Sequence, residues 1–152
     1  MKTSILTGAL IALLTGIAIT VQSTLATKAG SLMGDLKTGM MTNIMGGLVA
    51  VVMMLISILW WGREIWKVPV LAVGLTAGSG LLGVFIVTGI SFSLQRAGIA
   101  AGLASVILGQ LALSFLMDAW GWGGGDPIPL SFSRVLGLVI TGLGVYLLLP
   151  KT

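Results

Sequence analysis

The chain has 152 residues, 57% hydrophobic and only 8% charged. Soluble domains carry about 25% charged residues, so this chain cannot cover a water-facing surface and is expected to be an integral membrane protein. It has no histidine, no cysteine and only four acids, Asp35, Glu64, Asp118 and Asp126. That excludes disulfides, thiol nucleophiles, histidine bases and thiolate or imidazole metal sites, and no enzyme activity, cofactor or metal is expected. The net charge of +4 comes from eight basic residues scattered singly, which suits anchoring in lipid headgroups and not nucleic-acid binding.

A membrane-spanning helix needs about 20 mostly apolar residues, and five segments qualify. The first is 4–24. Its lysine, apolar run and small-residue ending also resemble a signal peptide. The length of the run and the recurrence of Gly8, Ala12, Thr15 and Gly16 favour a retained helix with a packing face. Thr15 lies at its middle, where it offers a hydroxyl that cannot titrate. Gln22 and Ser23 are expected to close this helix at the membrane edge by capping or interfacial hydrogen bonds. Lys28-Ala29-Gly30-Ser31 and Gly34-Asp35 are expected to form the first loop.

The second helix is 38–60. Asn43 falls about one turn inside it, where it serves either packing or a polar path. Met40, Met41, Met45, Met53 and Met54 read as adaptable packing. Gly62, Arg63 and Glu64, then Lys67 and Pro69, break the chain before the third helix, 68–92. Gly74-xxx-Gly78 and Ser79-xxx-Gly83 there have the small-residue spacing that lets backbones approach closely. They would pack either a neighbour in the same chain or a second copy. Gln95-Arg96 makes a short turn.

The fourth helix, 97–117, repeats that spacing at Gly98-xxx-Gly102 and Ser105-xxx-Gly109. It continues as GQLALSFLMDAWGW over 109–122. Gln110, Ser114 and Asp118 advance by four, so they form one slowly rotating stripe. Polar groups in hydrocarbon must find partners or water. The stripe is therefore either a helix–helix clamp or the polar wall of a substrate path. Asp118 lies at the membrane edge, as a water-exposed cap or an ion-pair partner for a loop. GWGGGDPIP, 121–129, is the longest non-helical stretch, because its glycines and prolines forbid a continuing helix. The fifth helix is 131–149. No segment is long enough for a soluble domain, so residues 1–152 are expected to form one membrane domain.

Five spans put Lys2, Arg63, Lys67 and Arg134 on one side and Lys28, Lys37, Arg96 and Lys151 on the other. The positive-inside rule works on the difference between the two sets, and four against four gives no preferred orientation. Either another feature fixes the orientation or the chain inserts both ways. Two-way insertion would allow an antiparallel pair with inverted-repeat architecture. Trp60, Trp61, Trp66, Trp120 and Trp122 all fall on one side and read as interfacial anchors.

Several motifs resemble the YdcZ-like family, small five-helix bacterial membrane proteins within the drug/metabolite transporter superfamily. GQLALSFLMDAWG is similar to the family's G-Q-L-x-x-S-x-x-x-D-x-x-G signature. Val21-Gln22-x-x-Leu25 with Gly30-Ser31 resembles the end of its first helix, although asparagine commonly replaces Gln22 there. Thr42-Asn43-x-x-Gly46 stands where the family usually has Ser-Phe-x-x-Gly. Gly74 to Gly83 resembles its glycine-rich third helix. Ser131-x-x-Arg134-x-x-Gly137, then Gly142 and Gly144, resembles its last. The resemblance is strongest from Gly74 onward. Residues 26–45 match less well and carry a few extra residues.

The resemblance implies an all-α integral membrane fold of the bacterial inner membrane. It also implies an antiparallel homodimer, hence a ten-helix inverted repeat, and transport, for which a small organic solute is the expected cargo. The best-known small exporters of this superfamily couple protons through a glutamate in the middle of the first helix. Here Leu14-Thr15-Gly16 stands at that place, and no acid lies deep in any predicted span. Hydroxyls and amides suit a neutral, zwitterionic or weakly charged solute. The expected function is alternating-access transport, with Gln110, Ser114, Asn43 and Thr15 along the path. The expected partners are a second copy, the lipid bilayer and a small-molecule substrate. A passive channel of the same architecture and a non-transporting membrane scaffold or subunit are the alternatives.

Overall fold

The computed structural model describes residues 2–122 and 126–151. They form five α-helices: α1 Lys2–Met33, α2 Asp35–Trp61, α3 Val70–Ala97, α4 Ile99–Trp120 and α5 Phe132–Leu148, with a 3-10 turn at Arg63–Trp66. There is no strand among the described residues. Leu6–Met33, Asp35–Trp61, Val70–Ala97 and Ile99–Trp120 are long and apolar enough to cross a membrane, whereas α5 has 17 residues. The fold is that of an all-helical membrane protein. The predicted glycine loop at 123–125 lies outside the described residues.

Helix ends differ most from expectation. The first loop, expected to run from residue 25 to 37, shrinks to Gly34 alone. Leu25, Ala26, Lys28, Ala29, Leu32 and Met33 are helix formers, and Gly30 is carried along inside them. Only Gly34 turns the chain, with φ +90, a value that other residues rarely adopt. Its N–H still donates to Gly30 O at 2.8 Å, and its carbonyl accepts from Thr38 N at 3.1 Å. Gln22 and Ser23 therefore lie well inside α1 and cap nothing. In the same way Gln95 and Arg96 belong to the last turn of α3, and the corner before α4 is Gly98. Asn43 falls two turns into α2, not one.

The chain divides into two compact units, residues 1–92 and 93–152. In the first, burial is confined to small and hydroxyl residues: Ser23, Ala26 and Gly30 of α1, Thr38 and Gly39 of α2, and Ser91 of α3. Ser23, Ala26 and Gly30 recur at helical spacing and share one face. The large aliphatic side chains point outward, the reverse of a water-soluble core. Lipid does not drive helices together as water does, so association relies on close backbone approach and interhelical hydrogen bonds. The approach is tight at Gly39, where a Cβ would overlap Thr88 Oγ1 and lie 2.7 Å from the Val84 carbonyl oxygen.

In the second unit α4 and α5 pack together, and the end of α3 adds Leu94, which is 2% exposed. A Cβ at Gly102 would sit 2.7 Å from Leu94 Cδ1, and one at Gly142 would sit 3.9 Å from a Leu108 methyl. The covered face of α5 is Arg134, Leu138, Thr141, Gly142 and Val145, a helical spacing of one stripe.

Candidate functional site

Hydroxyls along α1 are turned onto their own helix. Thr15 Oγ1 donates to Ile11 O at 2.9 Å, Thr20 to Gly16 O at 3.0 Å, Thr24 to Thr20 O at 2.8 Å and Thr27 to Ser23 O at 2.7 Å. A threonine in a helix reaches the carbonyl four residues back, the usual resting place for a hydroxyl away from water. Thr15 is exposed, yet its hydroxyl proton already has an acceptor.

Asn43 is half-buried. Its Nδ2 donates to Gly39 O at 2.8 Å, and a Cβ added at Gly83 would lie 2.6 Å from its Oδ1. It therefore fills the gap left by a glycine of α3. Measured along the helices from Gly34, Asn43 is nine residues away and Thr15 nineteen. At 1.5 Å per residue those positions differ by about 15 Å in depth, so the two do not meet at one level.

A cluster at the Gly34 corner has no counterpart in the sequence motifs. Ser91, fully buried, donates to Asp35 Oδ1 at 2.6 Å and lies 3.4 Å from Ala26 O. It thereby ties α3 to both other helices of its unit. The one available hint was an acid in the first turn of a helix, where the dipole favours a carboxylate.

In the second unit the predicted stripe has two different ends. Asp118 closes the outer end. Its carboxylate pairs with the Arg134 guanidinium, with the side chains 40% and 31% exposed respectively. The guanidinium also stands 4.8 Å from the Phe115 ring centroid, a cation–π contact. Arg134 Nη1 is buried without a hydrogen-bond partner among the described residues. The Asp118 carbonyl accepts from Gly121 N at 3.2 Å and Ile128 N at 2.9 Å, and Met117 O accepts from Trp122 N at 3.1 Å. With Gly121 left-handed at φ 64 and ψ 24, this is a Schellman stop. Ser131 begins α5 as its N-cap, accepting from Arg134 N at 3.3 Å.

The inner part of the stripe is open. Gln110 and Ser114 are exposed. Gln110 is two residues beyond Leu108, a rotation of about 200°, so it faces away from the α5 contact. It stands eleven residues after Ile99 and ten before Trp120, at the middle of α4. Among the described residues its carboxamide has no hydrogen-bond partner. An amide at the middle of a 22-residue apolar helix, with a hydroxyl one turn away, can receive a polar group that has left water.

The other predicted positions are distributed as follows. Gly74 and Gly78 are open, with nothing within 4 Å of an added Cβ. Gly98 is a corner, and Gly102 packs within its own unit. Gln22 is exposed, as are all five tryptophans. Trp66 is tied back to α2, its Nε1 donating to Ser57 Oγ at 2.8 Å.

Residues 7–147 match the family described as "Putative inner membrane exporter, YdcZ". The chain belongs to the YdcZ family. The match takes in α2, α3 and α4 whole and nearly all of α1 and α5. No curated protein and no solved structure matches the chain. As a YdcZ family member it is a multi-pass inner-membrane protein of the transport class, and export, not catalysis, is the activity for which that family is described. Asp118 and Arg134 come from different YdcZ-like motifs, sixteen residues apart, and form a single ion pair.

Proposed function

We propose that the chain exports a small organic solute by alternating access, as an antiparallel homodimer of two five-span protomers. Gln110, Ser114, Asn43 and Thr15 line the path, and the solute binds between protomers. The observation that carries this reading is the Gln110–Ser114 face of α4, which is polar, at the middle of the helix and turned away from α5. Membership of an exporter family supports transport. The balance of four basic residues on each side supports insertion in both orientations.

The fifth span is α5. Its 17 residues rise about 25 Å against a hydrocarbon core of about 30 Å, and Leu130 and Leu149 at its ends extend the apolar length. The path offers amides and hydroxyls and no acid at mid-depth, so the solute is neutral, zwitterionic or weakly charged.

The test is topology. Ser31 is exposed near the Gly34 corner, and the chain has no cysteine, so Ser31→Cys is a single reporter. Intact cells are labelled with an impermeant maleimide, then permeabilised and labelled again. With no charge bias, roughly half of the chains should react from outside. Reaction of nearly all or nearly none would mean a single orientation and would overturn the homodimer of opposed copies.

A further inference from the structure

Three properties of Gln110 point to a single partner. It is the central residue of α4, it lies on the face turned from α5, and its carboxamide is unpartnered among the described residues. An amide at mid-depth needs an acceptor for its N–H and a donor for its carbonyl, and lipid tails offer neither. Two copies related by a two-fold axis make a self-complementary contact: a residue off the axis meets a different residue of the other copy, and only a residue on the axis meets itself. When two opposed copies span the same bilayer, the axis lies in its midplane, so that residue must lie near the middle of the spanning helix. Gln110 does. A carboxamide is also its own complement, since two of them face to face exchange two N–H···O bonds. The adjacent Gly109 has nothing within 4 Å of an added Cβ, so a second backbone can come close.

We infer that α4 of one protomer crosses α4 of its partner antiparallel, with Gln110 bonded amide to amide to the partner's Gln110 on the two-fold axis. The inference rests on the antiparallel homodimer proposed above and adds which atoms meet. It also places the amide pair at the midplane of the path, where an incoming polar group would have to replace it.

Disulfide trapping tests the inference in the full-length chain. Gln110→Cys should cross-link to its own copy. Ile107 and Leu113, three residues to either side, are both exposed. In an antiparallel crossing centred on Gln110, each lies about 9 Å along the axis from its own copy, beyond the roughly 7 Å that a disulfide spans between Cα atoms. Ile107→Cys alone and Leu113→Cys alone should therefore lose the cross-link, whereas the two co-expressed should regain it. That mixed pair keeps both Gln110 amides and decides the matter if Gln110→Cys itself does not assemble. Self-cross-links at 107, 110 and 113 alike would show a parallel crossing and overturn both the inference and the opposed-copy dimer. No cross-link at any of these positions, with Ser31→Cys still labelled from both sides, would overturn the α4 crossing and leave two-way insertion standing.

Discussion

Gly39 and Gly16 are the same residue in opposite circumstances. A Cβ at Gly39 would collide with a backbone carbonyl and a hydroxyl of α3, whereas one at Gly16 meets nothing within 4 Å. Gly39→Ala should destabilise the protein by about 1–3 kcal/mol through forced overpacking. Gly16→Ala should gain roughly 0.5–1 kcal/mol from helix propensity. Thermal unfolding of the two variants in one detergent checks this: equal midpoints would mean that the α2–α3 contact at Gly39 does not form. The sequence could show that small residues recur every four positions, but not which of them has a neighbour. Gly74 and Gly78 have the spacing and stand open, whereas Gly39 belongs to no such pair and is buried against Thr88. Spacing is a local property and the neighbour is not. Thr15 and Gln110 differ for a related reason. The Thr15 hydroxyl is satisfied on the preceding turn, as is the Asn43 amide, whereas the Gln110 carboxamide makes no such bond among the described residues.

The existence of the helices was legible from apolar length, and their ends were not. Lys28, Gly30, Asp35 and Lys37 read as a loop because charge and glycine usually mark one. A lysine near a helix end can run its stem along apolar surface and leave its head in water, so α1 continues past Lys28 until Gly34 stops it. The α4–α5 hairpin shows what pattern can and cannot deliver. An ion-pair role for Asp118 was among the expected readings, but its partner sixteen residues later required the fold. Because both side chains are about a third exposed, water screens the pair, and its coupling energy should be modest, about 0.2–1 kcal/mol. A double-mutant cycle with Asp118→Asn and Arg134→Gln measures it. The double variant should lose less stability than the sum of the two single losses. Strictly additive losses would show that the pair contributes nothing beyond its separate residues.

For the whole molecule, the proposed five-span arrangement sets four basic residues on one side against four on the other. A balance is easily tipped. A pair of lysines added between Gly62 and Pro69 should send that connection to the cytoplasm in most copies, and the same pair added beside Ser31 should send the Gly34 corner there instead. Labelling of Ser31→Cys reads both cases; an unchanged ratio would mean that the charges do not set orientation. The corner itself limits how α1 and α2 can rearrange. A planar peptide leaves one residue only two soft torsions, and Gly34 is the single non-helical residue between two long rods. The joint is a pivot with two degrees of freedom. Unless a helical turn melts, the rods can swing or twist about that point but cannot slide past each other like pistons. If α1 and α2 move in the proposed transport cycle, they would move as a rocking lever with Gly34 as its fulcrum, so a small change of angle there would become a wide displacement at the far ends of the rods.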